Sequence, residues 1–494
     1  MFGNGELLQL ELARPALLRD RGLINGEWRD ARSNGAFEVI DPASLKVVQA
    51  VARMGAEEAR SAVDAAQAAL PAWSRRTAKD RAGVLRNWFD TILAHTSDLA
   101  RILTAEQGKP LSEAMGEIAY AASFIEWFAE EGKRVYGDVI PSHRSDTRII
   151  VTKAPVGVAA AITPWNFPAA MITRKAGAAL AAGCTMVIKP SELTPLTAFA
   201  LGLLAMEAGV PPGVLNIVTG DAPAIGEAWT SDPRVRKLTF TGSTAVGKRL
   251  TAACAPTLKR VSMELGGNAP FIVLEDADLE VAVSAAIASK FRNTGQTCVC
   301  ANRLLVHEHI YEDFTQRLAA RVKTMRLGAG LSGPTELGPL INEPAIVKVE
   351  RHVSDAVAKG ARVVIGGNRS VHHGPGAFYA PTILAEAHES MLLAQEETFG
   401  PVAPLFRFSE ETEAIRIANA TSTGLAAYVF TRDLSRMFRL TESLQTGIVG
   451  VNTGLISTEV APFGGVKDSG IGREGSHYGI DEFLDVKYIC IGAV

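Results

Sequence analysis

Ser289-Lys290-Phe291-Arg292-Asn293-Thr294-Gly295-Gln296-Thr297-Cys298-Val299-Cys300 is the stretch on which the reading of this chain turns. It sets a thiol after a glycine-containing, amide-rich turn, with an arginine six residues upstream. A cysteine does chemistry when it becomes a thiolate beside an electrophile. Gly295 permits a tight turn, and the backbone N–H groups that follow it can face an oxyanion. Taken alone, the stretch has two readings: a catalytic thiol at Cys298, or a buried structural cysteine, the commoner fate of the residue. The rest of the chain decides between them.

At 494 residues the chain exceeds one ordinary core, so two or three domains are expected. A hydrophobic content of 47% with 21% charged residues fits a soluble globular protein with a large interior. The net charge of −3 and the lack of a strongly basic stretch exclude nucleic acid as an expected partner. Five cysteines argue against a disulfide framework and for a reducing compartment. Met1–Asp20 has scattered charges and no apolar run, so no signal peptide is expected. The apolar stretch Ala176–Ile188 is too short to span a bilayer. The expectation is a cytoplasmic protein without membrane partners.

Working outward, Asn25-Gly26 marks a turn between short strands in 21–55. Helices are expected over Glu57–Leu70, ended by Pro71, over Lys79–His95 and over Ser112–Arg134, with their aromatics assigned to core packing. Arg148–Lys153 reads as an extended arm whose edge suits pairing with another subunit. From residue 156 strands alternate with helices: Val158–Ile162, Thr185–Ile188, Leu215–Val218, Lys237–Phe240 and Phe271–Leu274, with a helix at Leu196–Ala208. This alternation predicts a parallel, doubly wound α/β sheet. A second α/β run starts near 270. Helix Leu279–Phe291 leads into the cysteine turn, and strands follow at Arg303–Val306, Val363–Ile365, Ala426–Phe430 and Ile448–Val451. Helices are expected at Tyr311–Met325 and Glu411–Asn419, and a last strand at Tyr488–Ile491.

Several stretches carry chemistry. Val261-Ser262-Met263-Glu264-Leu265-Gly266-Gly267 puts a carboxylate at a strand end. Glu264 is either a solvated loop residue or a general base whose pKa is raised in an enclosed site. In Ile162-Thr163-Pro164-Trp165-Asn166-Phe167-Pro168 the asparagine can donate to an oxyanion or simply form an Asx turn. Phe240-Thr241-Gly242-Ser243-Thr244-Ala245-Val246-Gly247 is a strand, a small-residue turn and a helix start, able to present N–H groups to phosphate. It is not the dinucleotide fingerprint. Lys189-Pro190-Ser191-Glu192 lies past a strand's carboxyl end, where open α/β sheets bind ligands. No histidine spacing suggests a metal; His307/His309 and His372/His373 form no zinc set.

In this order, with Glu396-Glu397-Thr398-Phe399-Gly400-Pro401 added, these motifs resemble the aldehyde dehydrogenase superfamily along nearly the whole chain. The resemblance implies Cys298 as nucleophile, Glu264 as general base, and Asn166 with the Cys298 N–H as oxyanion hole. It implies Lys189 and Glu192 at the adenosine ribose, Gly242 and Ser243 at the pyrophosphate, and Trp165 along the coenzyme cleft. Glu397 would hold the nicotinamide ribose, with Phe399 by the ring. It implies a Rossmann-type coenzyme domain (1–137 and 155–267), an α/β catalytic domain (268–474) and a β-strand oligomerisation arm (138–154 and 475–494), in dimers or tetramers.

Ile172-Thr173-Arg174-Lys175, Lys290-Phe291-Arg292-Asn293, Cys298-Val299-Cys300 and Gly454-Leu455-Ile456-Ser457 are similar to the succinate-semialdehyde branch of that superfamily, known from 4-aminobutyrate breakdown. Arg174, Arg292 and Ser457 would then bind the substrate's distal carboxylate, as charge-assisted hydrogen bonds favour. The other reading of either arginine is an internal salt bridge. Glutarate semialdehyde is the alternative substrate, one methylene longer. Glu192 would repel a 2′-phosphate, which favours NAD, with NADP as the other coenzyme. Cys300 is a candidate redox partner of Cys298, although a Cys-x-Cys ring is tight. Two rival classes remain: a non-catalytic structural member, which the three retained catalytic residues oppose, and a coenzyme-A-acylating enzyme, which the carboxylate-binding arginines oppose.

Overall fold

Strand Val158–Ile162 is the pivot of the larger sheet in the computed structural model, which describes residues 5–493. Residues 1–4 of the N-terminal segment and residue 494 of the arm lie outside the described residues. The strand pairs in parallel with Thr185–Lys189 on one side and Val235–Thr241 on the other. Leu215–Ile217 extends the first side and Arg260–Glu264 the second, also in parallel. The chain therefore reverses its direction of travel across the sheet after Leu215–Ile217. The carboxyl ends at Ile162 and Thr241 open the crevice where such sheets bind ligands. Asn166 and Gly242 follow those two ends directly.

The expected parallel sheet is corrected at its edges. Gly22–Ile24 pairs antiparallel with Leu215–Ile217, and Gly470–Ile471 pairs antiparallel with Arg260–Glu264, giving eight strands in all. Short antiparallel strands limit the edge that other chains can extend. The Asn25-Gly26 turn joins Gly22–Ile24 to Glu27–Arg29 with both residues at positive φ, 56° and 77°, as a two-residue hairpin requires.

Helix Ala56–Ser74 runs through Pro71 instead of ending before it. Its last turn is held by Trp73, a buried side chain whose indole N–H donates to the Leu180 carbonyl at 3.2 Å. Helix Ala170–Ala182 was not expected from the sequence. All thirteen residues are buried, so it has no solvent-facing side, and its N-terminal N–H groups are capped by Glu117 from helix Leu111–Glu131.

Arg260–Glu264 passes through 265–268 into Ala269–Val273 of a second, seven-stranded sheet. That sheet is parallel except for its edge strand Arg362–Ile365. The amino ends of Ala269–Val273 and Ala301–His307 therefore face the carboxyl ends of the first sheet. Asp138–Ile140, Thr147–Pro155 and Leu484–Gly492 form a separate antiparallel sheet, and Val139, Val486 and Tyr488 on it are exposed. Among the described residues no helix is long and apolar enough to cross a membrane.

Candidate active site

The cysteine turn is built from three successive residues in the left-handed region: Asn293 (φ 50°), Thr294 (56°) and Gly295 (76°). Two of them are not glycine, and such strain persists only where the surroundings fix it. The Asn293 N–H donates to Glu113 at 2.8 Å, and its side-chain amide donates to the Asn166 carbonyl at 2.9 Å. Thr294 Oγ1 exchanges hydrogen bonds with the Gly338 backbone at 3.1 and 3.0 Å, and Gln296 Oε1 accepts from the Ile341 N–H at 2.9 Å. A Cβ on Gly295 would stand 2.2 Å from the Gly400 carbonyl oxygen. Each residue of the Asn-Thr-Gly-Gln run thus has a steric or hydrogen-bonding reason.

This turn presents Cys298 partly exposed, and among the described residues its backbone N–H has no hydrogen-bond partner. Burial pushes the thiol up to about 12, helped by the Glu397 carboxylate and opposed by the Arg174 charge. A neighbouring base is therefore needed to make the thiolate. Glu264 ends its strand 4% exposed, with Oε2 lacking a partner, so the solvated-loop reading does not describe it. Burial, then the nearby Glu474, holds its carboxyl well above the ordinary range. Asn166 is buried, and its side-chain amide donates to the Gln296 carbonyl at 3.0 Å, across to the cysteine turn, not into an Asx turn.

Cys298, Glu264 and Asn166 open onto a cleft of about 360 Å³ between the two sheets. Trp165, Gly242, Ser243, Glu397 and Phe399 line the same cleft. The Trp165 and Phe399 rings meet edge to face at 5.5 Å. Glu397 accepts from the Gly267 N–H at 3.2 Å, and burial raises its carboxyl to about 7. Lys189 and Glu192 are not among the lining residues; they pair with each other, Lys189 buried and Glu192 51% exposed. Burial acts to raise the Glu192 carboxyl, but the Lys189 charge prevails and holds it below its usual value. Helix Thr244–Cys254 has no side-chain cap, which leaves its first N–H groups facing the crevice beside Gly242. A pyrophosphate fits such a terminus.

On the other side of Cys298 lies a narrower space lined by Tyr120, Phe167, Arg174, Arg292, Ser457 and Phe463. The salt-bridge reading holds for part of Arg174. Its Nε lies 3.0 Å from Glu474, which also pairs with Lys175, yet Nη2 is buried without a hydrogen bond. The Arg174 guanidinium lies 4.1 Å from the Phe463 ring, and that of Arg292 lies 5.0 Å from Phe167. Among the described residues Arg292 makes no ion pair. Cys300 lines neither space. It is buried and unbridged, with its sulfur 3.4 Å from Lys290 Nζ.

Sequence reading missed Glu474, Lys175, Tyr120 and the cleft wall around Asn342 and Lys348. No local pattern marks Glu474, because its partner Lys175 is 299 residues away. Tyr120 sits on a helix whose aromatics were assigned to the core. Among the described residues no group of three or more His, Cys, Asp or Glu is arranged to hold a metal.

A thiol, a buried carboxylate and free N–H donors share the crevice that a doubly wound sheet offers to a nucleotide, a combination suited to oxidoreductases that hold their substrate covalently. The chain belongs to the aldehyde dehydrogenase family, whose sequence model matches residues 28–489. That family consists of NAD(P)-dependent enzymes working through a cysteine. The chain is 60% identical over 476 residues to the succinate-semialdehyde dehydrogenase [NADP(+)] GabD of Escherichia coli, covering 96% of this chain and 98% of that one. It is 56% identical over 485 residues to the glutarate-semialdehyde dehydrogenase of Pseudomonas aeruginosa, covering 98% and 100%. The crystal structure of succinate-semialdehyde dehydrogenase from Burkholderia pseudomallei superposes with a TM-score of 0.97 at 58% identity, over 98% of this chain and 100% of that one.

Proposed function

We propose that this enzyme oxidises succinate semialdehyde to succinate, with Cys298 as nucleophile. The observation that carries the reading is the narrow space with Cys298 at one end and Arg174, Arg292 and Ser457 along it. The names of the E. coli and B. pseudomallei relatives agree with it. Glutarate semialdehyde, named for the P. aeruginosa relative, is the neighbouring substrate, and one methylene separates the two by only ~1–3 kcal/mol.

In this reading Glu264 accepts the Cys298 proton as the sulfur attacks the aldehyde carbon. The alkoxide of the resulting thiohemiacetal takes hydrogen bonds from the Cys298 N–H and the second amide hydrogen of Asn166. A bound nicotinamide supplies the hydride acceptor. Loss of the hydride leaves a thioester on Cys298. Glu264, having released the thiol proton to solvent, then takes a proton from the water that attacks it, releasing the acid and the Cys298 thiolate. The free N–H groups of helix Thr244–Cys254 with Gly242 and Ser243 hold the pyrophosphate, and Trp165 and Phe399 wall the cleft. Glu397 takes the nicotinamide ribose, and Lys189 with Glu192 the adenosine ribose. The Glu192 carboxylate favours NAD, whereas the E. coli relative's name carries NADP(+). Comparing NAD with NADP in wild type and Glu192→Ala separates these: a gain in NADP use on substitution supports the Glu192 reading, and no change removes it.

The same reading divides the chain into the coenzyme, catalytic and arm parts given above, the exposed arm sheet joining dimers or tetramers. For the substrate the test is Arg292→Gln. We expect kcat/KM for the semialdehyde to fall by about 10²-fold or more, as loss of a charged hydrogen-bonding partner implies, with butanal unaffected. Equal losses for both substrates would remove Arg292 from the carboxylate site.

A further inference from the structure

Tyr120 carries a hydroxyl that the fold does not satisfy. It projects from helix Leu111–Glu131, with its ring edge-on to Phe124 at 5.0 Å between centroids. The phenol oxygen is buried and, among the described residues, makes no hydrogen bond of acceptable geometry, although the Ser457 hydroxyl lies beside it. A buried hydroxyl without a partner is destabilising, and phenylalanine would fill the same volume without that penalty. The hydroxyl is therefore poorly explained by packing.

Its surroundings supply the explanation. Tyr120 lines the narrow space that holds Arg174, Arg292, Ser457 and Cys298. Arg174 Nη2 is a second buried donor there without a partner. Burial raises the phenol's pKa against the pull of Arg174 and Arg292, so it stays protonated as a donor. Two donors, the Tyr120 hydroxyl and Arg174 Nη2, line one enclosed space without a hydrogen-bond partner among the described residues, and an acceptor bound there would satisfy both. An ionised carboxylate offers about four lone-pair sites, and the donor groups at hand are also four: Arg174, Arg292, Ser457 and Tyr120.

We propose that Tyr120 is the fourth donor of the distal anion subsite, its O–H donating to the terminal carboxylate of the substrate. The proposal rests on the semialdehyde reading above. Tyr120 thereby selects the anionic tail and leaves the aldehyde chemistry to Cys298, Glu264 and Asn166.

The test is Tyr120→Phe in the full-length enzyme, assayed with succinate semialdehyde and with butanal and followed by thermal unfolding. The semialdehyde kcat/KM is expected to fall about 10- to 100-fold, the range for one hydrogen bond to a charged group. The loss is carried mainly by KM, since the contact is made before and during the reaction. Butanal stays within twofold and the thermal midpoint does not fall, because an unsatisfied group has been removed. A parallel fall for both substrates, or a lowered midpoint, would show a packing role and overturn the proposal. A wild-type enzyme without preference for the semialdehyde overturns the substrate reading and this one with it. A preference that Tyr120→Phe leaves intact overturns the Tyr120 role alone.

Discussion

Lys109→Met tests how the active site is held in position. Lys109 Nζ is buried and donates to both Glu117 Oε2 and the Asn166 carbonyl, the latter at 2.8 Å, and it lies 3.9 Å from the Phe167 ring. Glu117 Oε1 accepts from Ala169 at 2.9 Å and Ala170 at 3.3 Å, fixing the start of the helix that carries Arg174. Both side chains are 1% exposed or less. Removing one partner of such a pair leaves an uncompensated buried charge and costs about 3–5 kcal/mol. That is a large share of a total stability of roughly 5–15 kcal/mol. The Asn166 carbonyl also loses one of its donors, leaving the Asn293 amide. A full oxyanion donor is worth about 10²–10³ in kcat, so a displaced Asn166 is expected to lower kcat by at least about tenfold. The assay is urea unfolding with parallel kinetics on Lys109→Met and on Lys109→Met/Glu117→Gln. The double variant keeps an acceptor for Ala169 and removes the charge, so it should regain at least half the lost stability. A single variant within about 1 kcal/mol of wild type with unchanged kcat, or a double variant no better than the single, would refute the reasoning.

Glu264→Gln should lower steady-state turnover by about 10²–10⁴, and it should remove an activity limb that rises with pH above the ordinary carboxylate range, where burial has moved this group. Steady-state pH profiles check it, and an unchanged limb would assign the titration elsewhere. Gly295→Ala places a Cβ 2.2 Å from the Gly400 carbonyl at φ 76°. It should destabilise by at least about 1–3 kcal/mol and depress activity through the cysteine turn; a neutral outcome in unfolding and kinetics would contradict the turn geometry. Glu106 is fully buried, caps helix Leu196–Glu207 at Leu196 (2.7 Å) and Thr197 (2.9 Å), and is raised by burial to about 8. Its folded pKa lies above the unfolded one, so the stability it contributes is complete below pH ~4.5 and is lost as pH rises through ~8, on the order of 5 kcal/mol. Glu106→Gln should flatten that decline in unfolding midpoints between pH 6 and pH 9.

The strands legible in the sequence were those whose signals are local. Val158–Ile162, Ala426–Phe430 and Ile448–Val451 lie where expected, as does helix Glu411–Asn419. Helix Ala170–Ala182 escaped because complete burial erases periodicity and its cap comes from Glu117, 52 residues earlier. Pro71 misled because tertiary anchoring of Trp73 outweighs a missing N–H. The motif residues Asn166, Gly242, Glu264 and Cys298 were legible as types at strand ends, and the topology explains their meeting, since the first sheet reverses between Ile162 and Thr241. Arg174 combined both of its sequence-level readings, an ion pair through Nε and a free Nη2. Tyr120 could not be told from a core aromatic until its hydroxyl was seen without a partner. Glu192 was legible as an acid at a strand end, but its pairing with Lys189 was not weighed.

The most direct test of the substrate assignment is kcat/KM of the wild-type enzyme for succinate semialdehyde against butanal, each with NAD and with NADP. Burying one tail carboxylate against two guanidiniums and two hydroxyls predicts a preference of two or more decades for the semialdehyde with the better coenzyme. Equal values for the two aldehydes would contradict the assignment and leave Arg174, Arg292, Ser457 and Tyr120 without a ligand.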